Sequence, residues 1–117
     1  MSTRTEFLYL LGDLFKFAER NQIEIIIFTF YRSPAQQEQE FLKGKSKLRS
    51  DGPHEKWLAI DLAIIEKGQA LFDDSKETVD KYKELGIYWK SLDPNCIWGG
   101  DFNFAADVYH FELKKEK

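Results

Sequence analysis

The sequence predicts a mixed α and β fold in one domain spanning residues 1 to 117, and three observations carry that expectation. In residues 6 to 22, Phe7, Leu8, Leu10, Leu11, Leu14, Phe15, Phe17 and Ala18 recur at three- and four-residue spacing, which gives a helix one apolar face to lay on something flat. Residues 23 to 31, IEIIIFTFY, are β-branched and aromatic and suit a strand buried on both faces or nearly so. Residues 58 to 65 and 108 to 113 alternate instead, as strands with one apolar and one polar face do.

The remaining elements follow in order. Ser33-Pro34 reads as an N-cap followed by proline at the first helical position, opening a short helix through about Lys43, with Gly44 as its stop. KGKSKLRSDGP, residues 43 to 53, is a basic loop rich in glycine and serine that leads to His54. Glu66-Lys67-Gly68 suits a turn before a short strand around Gln69 to Phe72. Asp74 or Ser75 caps a helix running to about Leu92, with Val79, Tyr82, Leu85 and Trp89 on its inner side. DPNCIWGGDFNFAAD is expected to be a loop, with Cys96 a small residue in it.

Composition removes several classes of function. Lys and Arg number 17 against 20 Asp and Glu, net −3, so few phosphates can be neutralised and nucleic acid is not an expected partner. One cysteine permits neither an internal disulfide nor a thiolate metal cage. Charges interrupt the apolar N-terminal run, so neither a signal peptide nor a membrane span is expected, and a cytoplasmic, monomeric product is.

The chemistry concentrates on the polar faces of the two alternating strands. Leu58, Ile60, Leu62 and Ile64 point one way, and Ala59, Asp61 and Ala63 the other; likewise Tyr109, Phe111 and Leu113 oppose His110 and Glu112. In one antiparallel sheet, Asp61 and His110 converge on the polar face and His54 swings in from the preceding loop. Two imidazoles and a carboxylate form a catalytic zinc set that leaves a fourth position for water. Such a site needs a base, and Asp107 stands three residues before His110, close enough if the chain bends there. It also needs a cation for the developing oxyanion, and Arg32 ends the apolar strand. HExxH is absent, so the helical zincin arrangement is excluded.

At these residues the sequence resembles the zinc D-alanyl-D-alanine carboxypeptidase and L-alanyl-D-glutamate peptidase family, which includes wall-remodelling peptidases and bacteriophage endolysins. HEKWLAID (His54, Asp61) and DVYHFE (Asp107, His110) carry the resemblance, with YRSPAQQ and WGGDF as further matches in the family's order. The resemblance implies an α+β fold of the hedgehog and DD-peptidase type, a small antiparallel sheet with helices on one face and zinc on the other. It implies one zinc held by His54, Asp61 and His110, with Asp107 as general base, Arg32 steadying the carbonyl and oxyanion, and Gln37 as the glutamine of the arginine segment. The implied substrate is a peptidoglycan stem peptide, reached from the cytoplasm of the producing cell after release through a holin-type partner. Two positions depart from the pattern: Gly52-Pro53 precedes His54 where the family often has serine two residues ahead, so Ser50 is displaced, and Trp57 stands where glycine is common.

Further residues admit two readings each. Trp98 lines the substrate pocket or plugs the core, Glu112 meets the ligand histidine or a substrate amine, and Asp101 caps a turn or orients a ligand. The alternative to an enzyme is a non-catalytic module that keeps zinc as a structural clip or binds wall peptides. A clip needs ligands but neither base nor oxyanion partner, so Asp107 and Arg32 favour the enzyme.

Overall fold

A computed structural model describes residues 1–29, 58–102 and 106–114 of the chain. Helix α1 spans Thr3–Arg20, starting earlier than the apolar periodicity suggests because the Ser2 hydroxyl accepts from the Thr5 N–H and caps the first turn. Its buried stripe is Phe7, Leu11, Leu14 and Ala18, while Leu8 faces outward. The helix stops at Asn21, whose side-chain amide donates to the Phe17 carbonyl, and Gln22 takes a left-handed conformation that turns the chain into strand β1, Glu24–Thr29.

β1 pairs antiparallel with β2, Ala59–Glu66, in a register that sets Ile25 opposite Ile64 and Thr29 opposite Asp61. The expectation of burial on both faces does not hold. Among the described strands β1 is outermost, and Ile26, Ile27 and Phe28 each remain about half exposed. β2 turns into β3, Gln69–Ala70, through Lys67 and Gly68, both at positive φ, as a two-residue hairpin of this twist requires.

Ser75 caps helix α2, Lys76–Leu92, accepting from the Thr78 N–H. Thr78, rather than the expected Val79, begins its buried side, which continues through Tyr82, Leu85, Gly86 and Trp89, because the Thr78 hydroxyl donates to Asp73 and turns that edge inward. The segment read as a loop contains a strand, β4, Cys96–Trp98, followed by a short 3-10 turn, Gly99–Asp101. Cys96 is buried there. The strand forms because β5, His110–Leu113, offers a partner: Cys96 faces Leu113 and Trp98 faces Phe111. β5 is shorter than the alternation suggested, since Val108 and Tyr109 form the turn that leads into it.

The five described strands form an open antiparallel sheet in the order β1-β2-β5-β4, with β3 paired to β2. Both described helices lie on one face of it. Phe7 meets Trp89 edge-on and Phe17 stacks on Tyr88, while Ile60, Leu62, Ile64, Phe111 and Leu113 supply the sheet side of the same core. Two polar hooks tie α2 to the sheet: the Tyr82 hydroxyl donates to Leu71 and accepts from Ile64, and the Trp89 indole N–H is shared by the carbonyls of Ile97 and Glu112. The protein is thus α+β, and Asp61 lies on the sheet's other face between the buried Ala59 and Ala63. Among the described residues, no helix is long and apolar enough to cross a membrane.

Candidate metal and catalytic site

On that second face, β2 and β5 bring Asp61 and His110 directly opposite each other in the antiparallel register. Directly opposed residues are the closest side-chain neighbours a sheet provides, so the pairing itself sets the distance. Asp61 Oδ1 lies 3.4 Å from His110 Nδ1, and both side chains are largely buried. On the other side of the ring, His110 Nε2 meets Glu112 Oε1 at 2.7 Å.

Asp107 arrives through the turn before β5, where its carbonyl accepts from the His110 N–H at 3.1 Å and its Oδ1 from the Tyr109 N–H at 3.2 Å. The turn is pinned to the end of β4 by the Asp107 N–H, which donates to the Gly99 carbonyl at 2.9 Å. This explains a glycine of the WGGDF segment whose role sequence reading did not isolate. A Cβ on residue 99 would overlap the Asp107 carbonyl oxygen and crowd the His110 Cβ, so only glycine lets Asp107 and His110 sit here together. Gly99→Ala is therefore expected to displace both and lower activity on the order of 100-fold, the scale of a misplacement of about 1 Å at a reacting centre. Steady-state kinetics on the folded variant checks this; unchanged turnover would show that the approach does not position the site.

One atom each from Asp61, Asp107 and His110 lie within 4.8 Å of one another, a group able to hold a metal ion. The donor set suits zinc on two grounds. Two ligands with bonds of about 2.1 Å in a tetrahedral shell stand about 3.4 Å apart, as Asp61 Oδ1 and His110 Nδ1 do. Among the described residues, Asp61, Asp107 and Glu112 also bring three carboxylates around one imidazole, negative charge of the kind a bound cation offsets.

The same crowding moves the titrations. Burial opposes the charged form of His110, but the hydrogen bonds of Asp61 and Glu112 and then their charges overcome it, and the pKa is pushed up to about 9 from 6.5. Burial, and then the negative charge of Asp61, hold the Asp107 carboxyl above its ordinary 3.8, although His110 and the Tyr109 N–H act against them. Because the folded His110 binds its proton more tightly than the unfolded chain does, its contribution is fully present below pH 6.5 and is lost as pH rises through about 9. The metal-free protein should thus lose on the order of 3 kcal/mol across that interval, at roughly 1.4 kcal/mol per unit. Urea unfolding at a series of pH values checks it, and the loss should flatten in His110→Gln; a flat wild-type profile would contradict the account.

Trp98, a candidate substrate contact, is instead part of the core. Its ring lies against the backbones of Gly86 in α2 and Gly100, and its indole N–H donates to the Val108 carbonyl, which leaves 3% of it exposed. Asp101 pairs with Lys90 at 2.7 Å and closes the turn onto α2. Phe102, which sequence reading passed over, sets its ring 5.8 Å from that of His110 and stays partly exposed, an apolar wall beside that imidazole. The aromatic residue ending the glycine turn was the available signal. Arg32, Gln37, Ser50 and His54 lie outside the described residues, as do the helix expected from Ser33 and the basic loop after it.

No protein-family model matches the sequence, and no curated protein matches it significantly. Solved structures do match in fold. The L-Ala D-Glu endopeptidase ChiX of Serratia marcescens superposes with a TM-score of 0.75 at 17% identity, over 94% of this chain and 79% of that one. The vancomycin-resistance D,D-pentapeptidase VanY of a VanB-type cassette, solved as a mutant with Zn(II), superposes with a TM-score of 0.62 at 15% identity, over 92% and 70% of the two chains. The chain therefore has the fold of these two peptidases, of the kind its motifs resemble, and carries, on the sheet face opposite the described helices, a cluster able to bind a metal.

Proposed function

We propose that the protein is a zinc-dependent peptidase hydrolysing an amide bond of the peptidoglycan stem peptide, as a D-Ala-D-Ala carboxypeptidase or an L-Ala-D-Glu endopeptidase. The observation that carries this reading is the convergence of Asp61, Asp107 and His110 on the sheet face opposite the described helices, in a fold shared with two peptidases. His54, Asp61 and His110 would hold one zinc, which supplies a Lewis acid that polarises the scissile carbonyl and acidifies water.

The chain's own groups do the rest. Asp107, fixed by Gly99 and raised in proton affinity by burial and by Asp61, takes the proton of the attacking water and returns it to the leaving amine. Arg32 steadies the carbonyl oxygen as it gains charge, with Gln37 beside it. Asp61 and His110, held face to face by the strand register, are preorganised and need no rearrangement to bind. A phage or prophage endolysin, made in the cytoplasm, acting as a single monomeric domain and released through a holin-type partner, is the biological setting we propose. Digestion of purified peptidoglycan tests the chemistry: stem-peptide fragments should appear in mass spectra, vanish on chelation and return with zinc, and their termini name the bond. Intact stem peptides in the zinc-supplemented digest would refute the proposal.

A further inference from the structure

The hydrogen bond between His110 Nε2 and Glu112 Oε1, at 2.7 Å, is among the shortest at the site, and sequence reading left Glu112 open as a contact for a substrate amine. The strand geometry argues otherwise. His110 and Glu112 are two residues apart on β5 and so project from the same face, and the side chain of Glu112 is only 14% exposed, little more than that of His110. Across β2 the register places Ala59 opposite Glu112, and across β4 Ile97, so the neighbouring strands offer it no polar group at those positions. The carboxylate is therefore directed along its own strand at the imidazole.

An imidazole can bind a cation through either nitrogen, and the nitrogen that donates its hydrogen elsewhere is not the one that ligates. A carboxylate accepting from Nε2–H leaves Nδ1 as the ligating atom, and Nδ1 is the atom that faces Asp61 at 3.4 Å. Glu112 also fixes the ring about its two side-chain torsions, since the imidazole is gripped at one nitrogen by Glu112 and directed at the other toward Asp61. We propose that Glu112 is a positioning residue, which selects the Nε2–H tautomer of His110 and presents Nδ1 to the metal, rather than a contact for substrate. This rests on the zinc reading above and adds to it the choice of ligating atom.

Zinc affinity of the full chain, measured by competition with a chelator and without substrate, tests it alongside long-range proton–nitrogen NMR of the imidazoles in the zinc-loaded protein. Glu112→Ala should weaken zinc binding 10- to 100-fold, the scale attached to outer partners of metal-ligating histidines. Glu112→Gln keeps an oxygen acceptor for Nε2–H and should restore most of that affinity. The wild-type spectrum should show His110 protonated at Nε2 and bound through Nδ1, a readout that stands even where Glu112→Ala fails to fold. Wild-type zinc affinity in Glu112→Ala together with a raised KM, or an His110 bound through Nε2, would overturn the inference and leave the zinc peptidase reading intact. A wild-type chain that binds no zinc would instead overturn that reading, and the inference with it.

Discussion

Asp107→Ala should retain zinc at wild-type affinity and lose peptide hydrolysis by roughly 10²- to 10⁴-fold, the contribution of a positioned general base. The expectation separates two roles that the geometry alone allows, because Asp107 is one of three residues whose ligand atoms gather within 4.8 Å. A ligand's removal empties the site, whereas a base's removal leaves the metal and stops the chemistry. Asp107 is suited to the second role. Its backbone N–H is held by the Gly99 carbonyl, its carboxylate accepts from the Tyr109 N–H, and burial raises its affinity for a proton above that of an exposed aspartate. Metal analysis and single-substrate kinetics on the same preparation decide the matter. Loss of zinc together with activity would reassign Asp107 as a ligand, and full activity would remove it from the mechanism.

The second large effect is expected at the strand pair itself. Asp61→Asn keeps the size of the side chain and its hydrogen-bonding reach to His110 but removes the charge that offsets a cation. Zinc affinity should fall by more than the roughly 10- to 100-fold attached to outer partners, and activity should fall below detection at ordinary zinc concentrations. The core of the sheet lies on the other face, where Ile60 and Leu62 stay as they are, so the variant should remain folded by circular dichroism. Wild-type zinc affinity in this variant would show that the opposed pair of β2 and β5 is an ion pair and not half of a metal site.

How much of this was legible beforehand differs from element to element. The two-faced strands were plain, because a single aspartate between Ile60 and Leu62, with an alanine two residues away on either side, and a histidine between aromatic residues, break an apolar alternation at one position each. Placing those strands side by side was enough to predict that Asp61 and His110 meet, and they stand directly opposite in the register. Strand β4 was hidden since three residues are too few for a period to show, and its existence depends on hydrogen bonds to β5, far along the chain. The exposure of β1 was hidden for a related reason: composition reports affinity for a sheet but not position within it, and IEIIIF reads the same in the centre as at the edge.

Trp98 illustrates a different limit. Tryptophan beside two glycines is compatible with a pocket wall or a core plug, and only the backbone of Gly86 on α2, passing under the ring, decides for the core. Those glycines nonetheless carried a signal of close approach, since residue 99 is where the Asp107 turn docks. Of the residues the family resemblance singles out, Asp61, Asp107 and His110 gather as a group, while His54, Arg32 and Gln37 lie outside the described residues and their roles rest on the motifs.

Titration of the metal-free protein with zinc, while following hydrolysis of a soluble stem peptide that contains both the L-Ala-D-Glu and the D-Ala-D-Ala bond, tests the central claim most directly. Activity should be absent without metal, rise in proportion to added zinc and saturate at one ion per chain, with one of the two bonds cut. Hydrolysis that proceeds unchanged in the metal-free protein, or no cleavage of either bond at full zinc occupancy, would contradict it.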